Sequence, residues 1–280
     1  DVLNLLINDR SLHLLKKFID KKTPGIRILE IGCGSGQLGS ELCHYLINAG
    51  VKYSYIGIDR DPQQIELTNK KLQNIKNAKA LELDIITEFS KIQEHGKFNL
   101  IFCRWVLVHL KISDRKKTIA NSLLQLEKGG YFLCEECDNS TVQFINQADA
   151  NDNNCKLLSK FWHESSTKLM ELNGNDFLYT PTKFQCDISE ACKLISPETT
   201  EYMVQKINGS YQIKLQSPEQ KKVILQNYQS AWNSYLLANI SEDQLKQAIN
   251  SAHIFAENSE AFCLFLTQHF MSVRRRPEKS

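Results

Sequence analysis

The residues able to do chemistry crowd the first third of the chain. Glu30 is followed closely by Gly32-Cys33-Gly34-Ser35-Gly36, in which glycines alternate with small side chains. Glycine takes positive φ without steric cost and lets another molecule approach the backbone. Arg27 to Ile31 is a short, largely apolar run, and Leu38, Leu42, Tyr45 and Leu46 recur downstream at helical spacing. The segment reads as buried strand, glycine turn, helix. The free N–H groups opening such a helix favour a carboxylate or phosphate. Glu30 stands at the strand's end as an acceptor near that pocket. Two further apolar runs, Val51 to Ile58 and Ala78 to Leu83, close on Asp59-Arg60 and Asp84-Ile85. A carboxylate at the second of these strand ends can accept hydrogen bonds from both hydroxyls of a ribose. Asp61-Pro62 already supplies a cap and a first-turn proline for the next helix, which leaves Asp59 for that role. Acids at the carboxyl ends of three successive parallel strands line one crevice. The pattern predicts a nucleotide-type cofactor site. The glycine spacing alone leaves a rival open, because Gly34-x-Gly36-x-x-Gly39 with Asp59 downstream also satisfies the dinucleotide fingerprint.

These side chains need a scaffold, and the rest of the chain supplies one. Leu5, Leu6, Leu12, Leu15 and Ile19 predict a leading helix, ended by Thr23-Pro24-Gly25. Phe98 to Cys103 reads as a fourth strand, running into Arg104-Trp105-Val106-Leu107-Val108-His109-Leu110. Ser113 is the expected cap of the following helix, Gly129-Gly130 its end, and Tyr131 to Glu135 the fifth strand. Leu158, Phe161, Trp162, Leu169 and Leu172 predict a helix; Thr199 to Ile207 reads as the sixth strand. Ser217-Pro218-Glu219 opens another helix with Ile224, Tyr228, Ala231, Trp232 and Tyr235 on one stripe, and Leu245 to Phe255 is a third. Ala261 to Val273 is the seventh strand. The expected architecture is α/β: a Rossmann-like seven-stranded, mostly parallel sheet with helices on both faces and a helical lid. Its parts are a cofactor-binding core at 1–140, a lid insertion at 141–195, the sixth strand of the core at 196–217, a second lid insertion at 218–257, and the seventh strand with a basic tail at 258–280.

Composition sets further bounds. Lys and Arg number 34 against 32 Asp and Glu, a net charge of +2 over 280 residues. No global field points to nucleic acid or a membrane surface, and Arg274-Arg275-Arg276 reads as a solvated tail. Nine cysteines are dispersed, mostly in apolar runs, which points to reduced thiols and a cytoplasmic location. Cys134-x-x-Cys137 has metal-site spacing but lies on an expected strand, where residues three apart face opposite sides; no metal is expected. No stretch has the length of a membrane span, and no signal peptide is visible.

The run Glu30-Ile31-Gly32-Cys33-Gly34-Ser35-Gly36 resembles the first motif of class I S-adenosylmethionine-dependent methyltransferases. The resemblance covers about 1–140 and implies that Glu30 faces the cationic methionine end, that Gly32, Cys33, Gly34 and Gly36 border the cofactor, and that Asp59-Arg60 meets its ribose. It further implies that Asp84 reads the adenine amino group with Ile85 against the ring, and that Cys103-Arg104-Trp105 passes under the cofactor. Leu126-Glu127-Lys128-Gly129-Gly130 resembles the family's leucine–lysine–proline–glycine–glycine turn, with Glu127 and Lys128 as departures. The implied function is methyl transfer from S-adenosylmethionine to a small-molecule acceptor held under the lid. Such a displacement chiefly needs alignment and desolvation, in keeping with the absence of a metal triad, nucleophile elbow or paired catalytic acids. His109 is a candidate general base, against the alternative of a packed histidine holding its loop. Tyr179, whose phenol could both pack and donate, is a candidate at the acceptor, against that of a plain loop anchor. The Asn/Asp-Pro-Pro-aromatic signature of amide methylation is absent, and nucleic acid is not an expected partner. Two alternatives are an NAD-dependent oxidoreductase and a non-catalytic cofactor-binding protein whose lid binds a partner. Neither the acceptor nor the oligomeric state can be read from a motif.

Overall fold

The computed structural model describes residues 2–19, 24–138, 141–172, 181–195, 202–207, 212–222 and 241–276. In order these form α1 (Val2–Lys17), β1 (Ile26–Ile31), α2 (Gln37–Asn48), β2 (Tyr53–Asp59), α3 (Pro62–Leu72), β3 (Ala78–Glu82), α4 (Phe89–Gln93), β4 (Phe98–Arg104), α5 (Ile112–Leu124), β5 (Leu126–Asp138), β6 (Gln143–Asn146), α6 (Asn153–Leu172), α7 (Pro181–Ile195), β7 (Tyr202–Ile207), β8 (Gln212–Leu215), α8 (Glu242–Glu257) and β9 (Ala261–Arg275). Tyr179, Tyr228, Trp232 and Tyr235 lie outside the described residues. The chain divides into two compact units, one of Leu6–Glu136, Thr182–Asn208 and His269–Ser280, the other of Asp1–Leu5, Cys137–Pro181 and Gly209–Gln268.

The first unit holds a parallel sheet in the order β3-β2-β1-β4-β5. β1, β2 and β4 are buried on both faces, which is why they read as nearly continuous apolar runs, whereas the edge strand β3 buries only Ala80. The strand order reverses between β1 and β4, and a crevice opens beyond the carboxyl ends at such a reversal. Leu38, Leu42 and Leu46 of α2 and Ile65 and Leu72 of α3 join the core that covers the sheet. Asn69 of α3 ties that helix to β3, accepting from Ala80 N at 3.0 Å and donating to Ala80 O at 3.3 Å.

Three local expectations are corrected. β5 begins at Leu126, ahead of the glycine pair rather than after it. Phe98 pairs with Leu126 and Leu100 with Tyr131, so the intervening residues are absorbed as an irregularity within the strand. Gly129 takes φ 83 there, and a Cβ on Gly130 would press on the carbonyl oxygens of Glu127, Asn99 and Phe98 at 2.9–3.1 Å. α5 begins two residues earlier than expected, so Ser113 lies within its first turn; Lys111 holds the cap position, with no side-chain hydrogen bond. The C-terminal arginines are also not all a solvated tail. The second half of β9 pairs antiparallel with β7; Arg275 donates to Leu126 O at 2.6 Å, and the Arg274 guanidinium lies 5.3 Å from the Tyr131 ring.

In the second unit β6 and β8 pair antiparallel with the first half of β9. Both are four-residue strands, too short to show an alternation in sequence. The expected stripe on α6 buries Leu158 and Phe161, and α8 buries Ala248 and Phe255. Phe144 of β6 meets Phe255 edge-on at 5.1 Å, and Ser251 of α8 donates to Asn154 of α6 at 3.0 Å. These apolar stripes form this unit's own core.

Candidate active site

Beyond the ends of β1 to β4 lies a cavity of about 240 Å³ whose lining includes Gly32, Asp59, Arg60, Asp84, Ile85, Trp105 and His109. Ile58, Ile86, Val106 and Leu110 add apolar wall. Six of the twelve residues expected at the cofactor therefore converge here, together with one of the two candidate catalytic residues.

The glycine turn is shaped by what presses on it. Gly32 has φ 67, and a Cβ there would collide with the Val106 side chain. Gly36 has φ 72, and its Cβ would lie 2.5 Å from Thr68 Cγ2. Thr68 in turn donates to Gly34 O at 2.6 Å. Asp59 braces the same turn from β2: its Oδ2 accepts from Gly34 N at 2.9 Å and its Oδ1 from Asp61 N at 3.0 Å. Each carboxylate oxygen has two acceptor directions, so both retain one for a ligand hydroxyl. The cap of α3 comes separately from Asp61, which accepts from Gln63 N at 2.9 Å with Pro62 in the first turn. Asp84 is similarly set, accepting from Ile86 N at 2.7 Å, while its own N–H donates to Glu88 at 3.0 Å.

Six expected residues lie elsewhere. Glu30 does not line the cavity. Its carboxylate accepts from the Tyr55 hydroxyl behind the glycine turn, and it is only 4% exposed. Gly39 and Gly57 leave the room in which that pair meets, since a Cβ on either would press on the Tyr55 hydroxyl. Burial pushes the Glu30 pKa up to about 7, against the Tyr55 hydrogen bond and the positive charge of Arg104. Cys33 packs inward, its thiol pushed far up by burial and by the charge of Glu30. Gly34 and Gly36 shape the turn without lining the cavity. Cys103 faces Cys134 across β4 and β5, Sγ to Sγ at 3.2 Å. Cys103 and Arg104 border a separate space of about 20 Å³ with Ser11, Leu14, Leu38 and Glu135, where Ser11 donates to Glu135 at 2.5 Å.

Trp105 begins the last wall in the left-handed region, φ 57, an uncommon conformation for a bulky residue. Its N–H donates to Glu135 O at 2.9 Å. His109 is exposed at the cavity wall. Desolvation by the surrounding protein and the charge of Arg60 lower its pKa; the ring's exposure tempers the first of these. Both effects favour the neutral imidazole, the form able to accept a proton.

Sequence reasoning missed Glu136. It is 1% exposed on β5 and accepts from Val106 N, Leu107 N and Val108 N at 3.2, 2.9 and 3.2 Å. The available signal was a carboxylate at the end of an apolar strand, where a buried charge must find donors.

Likeness to solved structures is broad and shallow. The YcgJ protein of Bacillus subtilis superposes with a TM-score of 0.56 at 16% identity, over 96% of this chain and 99% of that one. A Bacillus halodurans protein gives 0.56 at 10% identity over the same shares. The cyclase SpnF gives 0.52 at 12% identity, over 96% of this chain and 81% of that one. At these identities the likeness is one of fold. No curated protein matches the chain. The family model described as a methyltransferase domain matches residues 22–236, well over half of the chain, and with the glycine turn and its acids in place the chain belongs to that methyltransferase family.

Proposed function

We propose that the chain transfers a methyl group from S-adenosylmethionine, the cofactor of its family, to a small-molecule acceptor. The observation that carries this is the convergence of Gly32, Asp59, Asp84 and Ile85 on one cavity. A nucleoside fits what is there: a glycine cradle that a Cβ would fill, a braced carboxylate with acceptor directions to spare, and apolar walls from Ile58 and Ile85. The bound cofactor supplies a methyl group on a sulfonium, with a good leaving group already in place.

The chain's own contribution is positional. Asp59 holds the ribose hydroxyls, Asp84 takes the adenine amino group, and Ile85 packs on the ring. Trp105 and Val106 close the wall and keep water out. His109, at the cavity wall and biased toward its neutral form, is placed to take a proton from an acceptor that retains one at its reacting atom. Glu30 acts behind the turn, through Tyr55, rather than as a direct ligand. A small acceptor is supported by the near-balanced charge, 34 basic against 32 acidic residues, which offers no footprint for nucleic acid. The facing thiols of Cys103 and Cys134 suit a reducing compartment, and we place the protein in the cytoplasm. Among the described residues no helix is long and apolar enough to cross a membrane.

Calorimetry with S-adenosylhomocysteine and with NAD tests the donor. Binding of the first and not the second supports the reading; the reverse makes the protein an oxidoreductase. Labelled donor incubated with fractionated small metabolites then tests the transfer, and label found only in macromolecules would refute the small acceptor.

A further inference from the structure

The proposed donor site has three walls made by strand ends and one, Trp105–Leu110, made by irregular chain. Irregular backbone must find its hydrogen bonds outside a ladder. Here they come from two consecutive residues of β5. Trp105 N donates to Glu135 O at 2.9 Å. Val106 N and Leu107 N donate to Glu136 Oε1 at 3.2 and 2.9 Å, and Val108 N to Glu136 Oε2 at 3.2 Å. These N–H groups open the 3-10 turn Leu107–His109, whose own cap position, Val106, offers no side-chain acceptor. Successive backbone N–H groups of this kind form an anion-binding nest. In this protein the nest is filled from within, by the Glu136 carboxyl, whose pKa burial pushes up to about 8 against these three hydrogen bonds and the charge of Arg115.

We infer that Glu136 is a positioning residue, whose buried carboxylate holds the Trp105–Leu110 wall in the shape that receives the nucleoside. A second side chain works on the same peptide from the other side. Arg115 of α5, 2% exposed, donates through Nε to Leu107 O at 3.0 Å. Both backbone polar groups of Leu107 are thus taken by buried side chains. The residues this clamp fixes are the ones whose side chains reach the cavity: Trp105, Val106, His109 and Leu110. Glu136 is not part of this cavity's lining, so its effect on a ligand there passes through the wall. The affinity part of this inference rests on the proposed donor site; the clamp does not.

The test uses the full chain and Glu136→Gln, which keeps the size of the side chain but sets an NH2 group against one of the three donors. Glu136→Leu, which removes every acceptor, is the stronger second variant. Hydrogen exchange at Val106, Leu107 and Val108 is measured without ligand, beside the exchange of β1 and β2. Calorimetry then gives the affinities for adenosine and S-adenosylhomocysteine. For Glu136→Gln we expect exchange at least tenfold faster at those three amides, with β1 and β2 unchanged. Both ligands weaken by the same factor, tenfold or more, because the wall faces the part they share. Unchanged exchange at the three amides overturns the clamp, and so does a uniform rise across the sheet, which marks a merely structural role. Local loosening with undiminished affinity overturns the positioning role. Failure of the wild type to bind either ligand refutes the donor site, and the exchange result alone then decides the clamp.

Discussion

Replacing Asp59 by Ala perturbs two things that can be separated. Its carboxylate accepts from Gly34 N and Asp61 N at 2.9 and 3.0 Å, and it retains one acceptor direction on each oxygen for the proposed ribose hydroxyls. Hydrogen bonds to a charged partner are worth roughly 1.5–3 kcal/mol each. Asp59 is only half-buried, so the lower value applies and the two ribose bonds total about 3 kcal/mol. At about 1.4 kcal/mol per decade this is roughly a hundredfold loss of affinity. The lost brace on the glycine turn lowers stability by roughly 1 kcal/mol per abandoned N–H. Calorimetry with S-adenosylhomocysteine, adenosine and free adenine distinguishes the two effects, because adenine carries no ribose. The expected result is a large loss for the first two ligands and little for adenine. S-adenosylhomocysteine bound within about threefold of the wild-type affinity would refute the ribose assignment. An equal loss for adenine would show that the carboxylate acts only through the turn.

Other outcomes follow from the same geometry. Gly39→Ala drives a Cβ into the Tyr55 hydroxyl and to 2.6 Å from Glu30 Oε2, so urea unfolding should show a loss of roughly 1–3 kcal/mol or more, part of it recovered by adding Tyr55→Phe; a neutral Gly39→Ala would contradict the packing. Because burial lifts the Glu30 pKa from 4.5 to about 7, the folded state binds the extra proton between those values, and stability falls as pH rises across that window by up to about 1.4 kcal/mol per unit. Glu30→Gln removes this titration, so its thermal midpoint should gain on the wild type between about pH 5 and about pH 7; parallel curves would count against it. Among the described cysteines Cys186 is exposed and the others are buried, with Cys155 and Cys192 pushed up to about 11. A thiol reagent followed by peptide mass spectrometry should mark Cys186 first and the buried cysteines only on unfolding; early labelling of Cys103 or Cys134 would be inconsistent with their burial.

β1, β2 and β4 were legible because a parallel strand covered on both faces must be apolar along its whole length. Asp59 and Asp84 were legible because they interrupt such runs at their ends. Direction was not legible. Whether Glu30 looks at a ligand or behind the turn depends on Tyr55, one strand away, and on the space left by Gly39 and Gly57. Glu136 was hidden for the same reason: its donors are Val106, Leu107 and Val108, and no spacing rule links a strand end to a loop some thirty positions earlier. Gly129-Gly130 carried a true signal for an irregular backbone, but composition does not say whether it falls between two elements or inside one. The aromatic stripe of α6 was correctly placed on a helix, and the structure gives part of it to the core of its own unit.

The clamp on the Trp105–Leu110 wall also sets an order of events on the ribosome. A chain is made from its N-terminus, and every residue that lines the candidate cavity lies between Ile31 and Leu110. The acceptors for the wall's backbone, Glu135 O and the Glu136 carboxylate, arrive later. A nascent chain arrested between these points carries every cavity residue yet leaves four consecutive N–H groups without their acceptors. The Trp105–Leu110 wall then takes its hydrogen-bonded shape only when β5 takes its place beside β4.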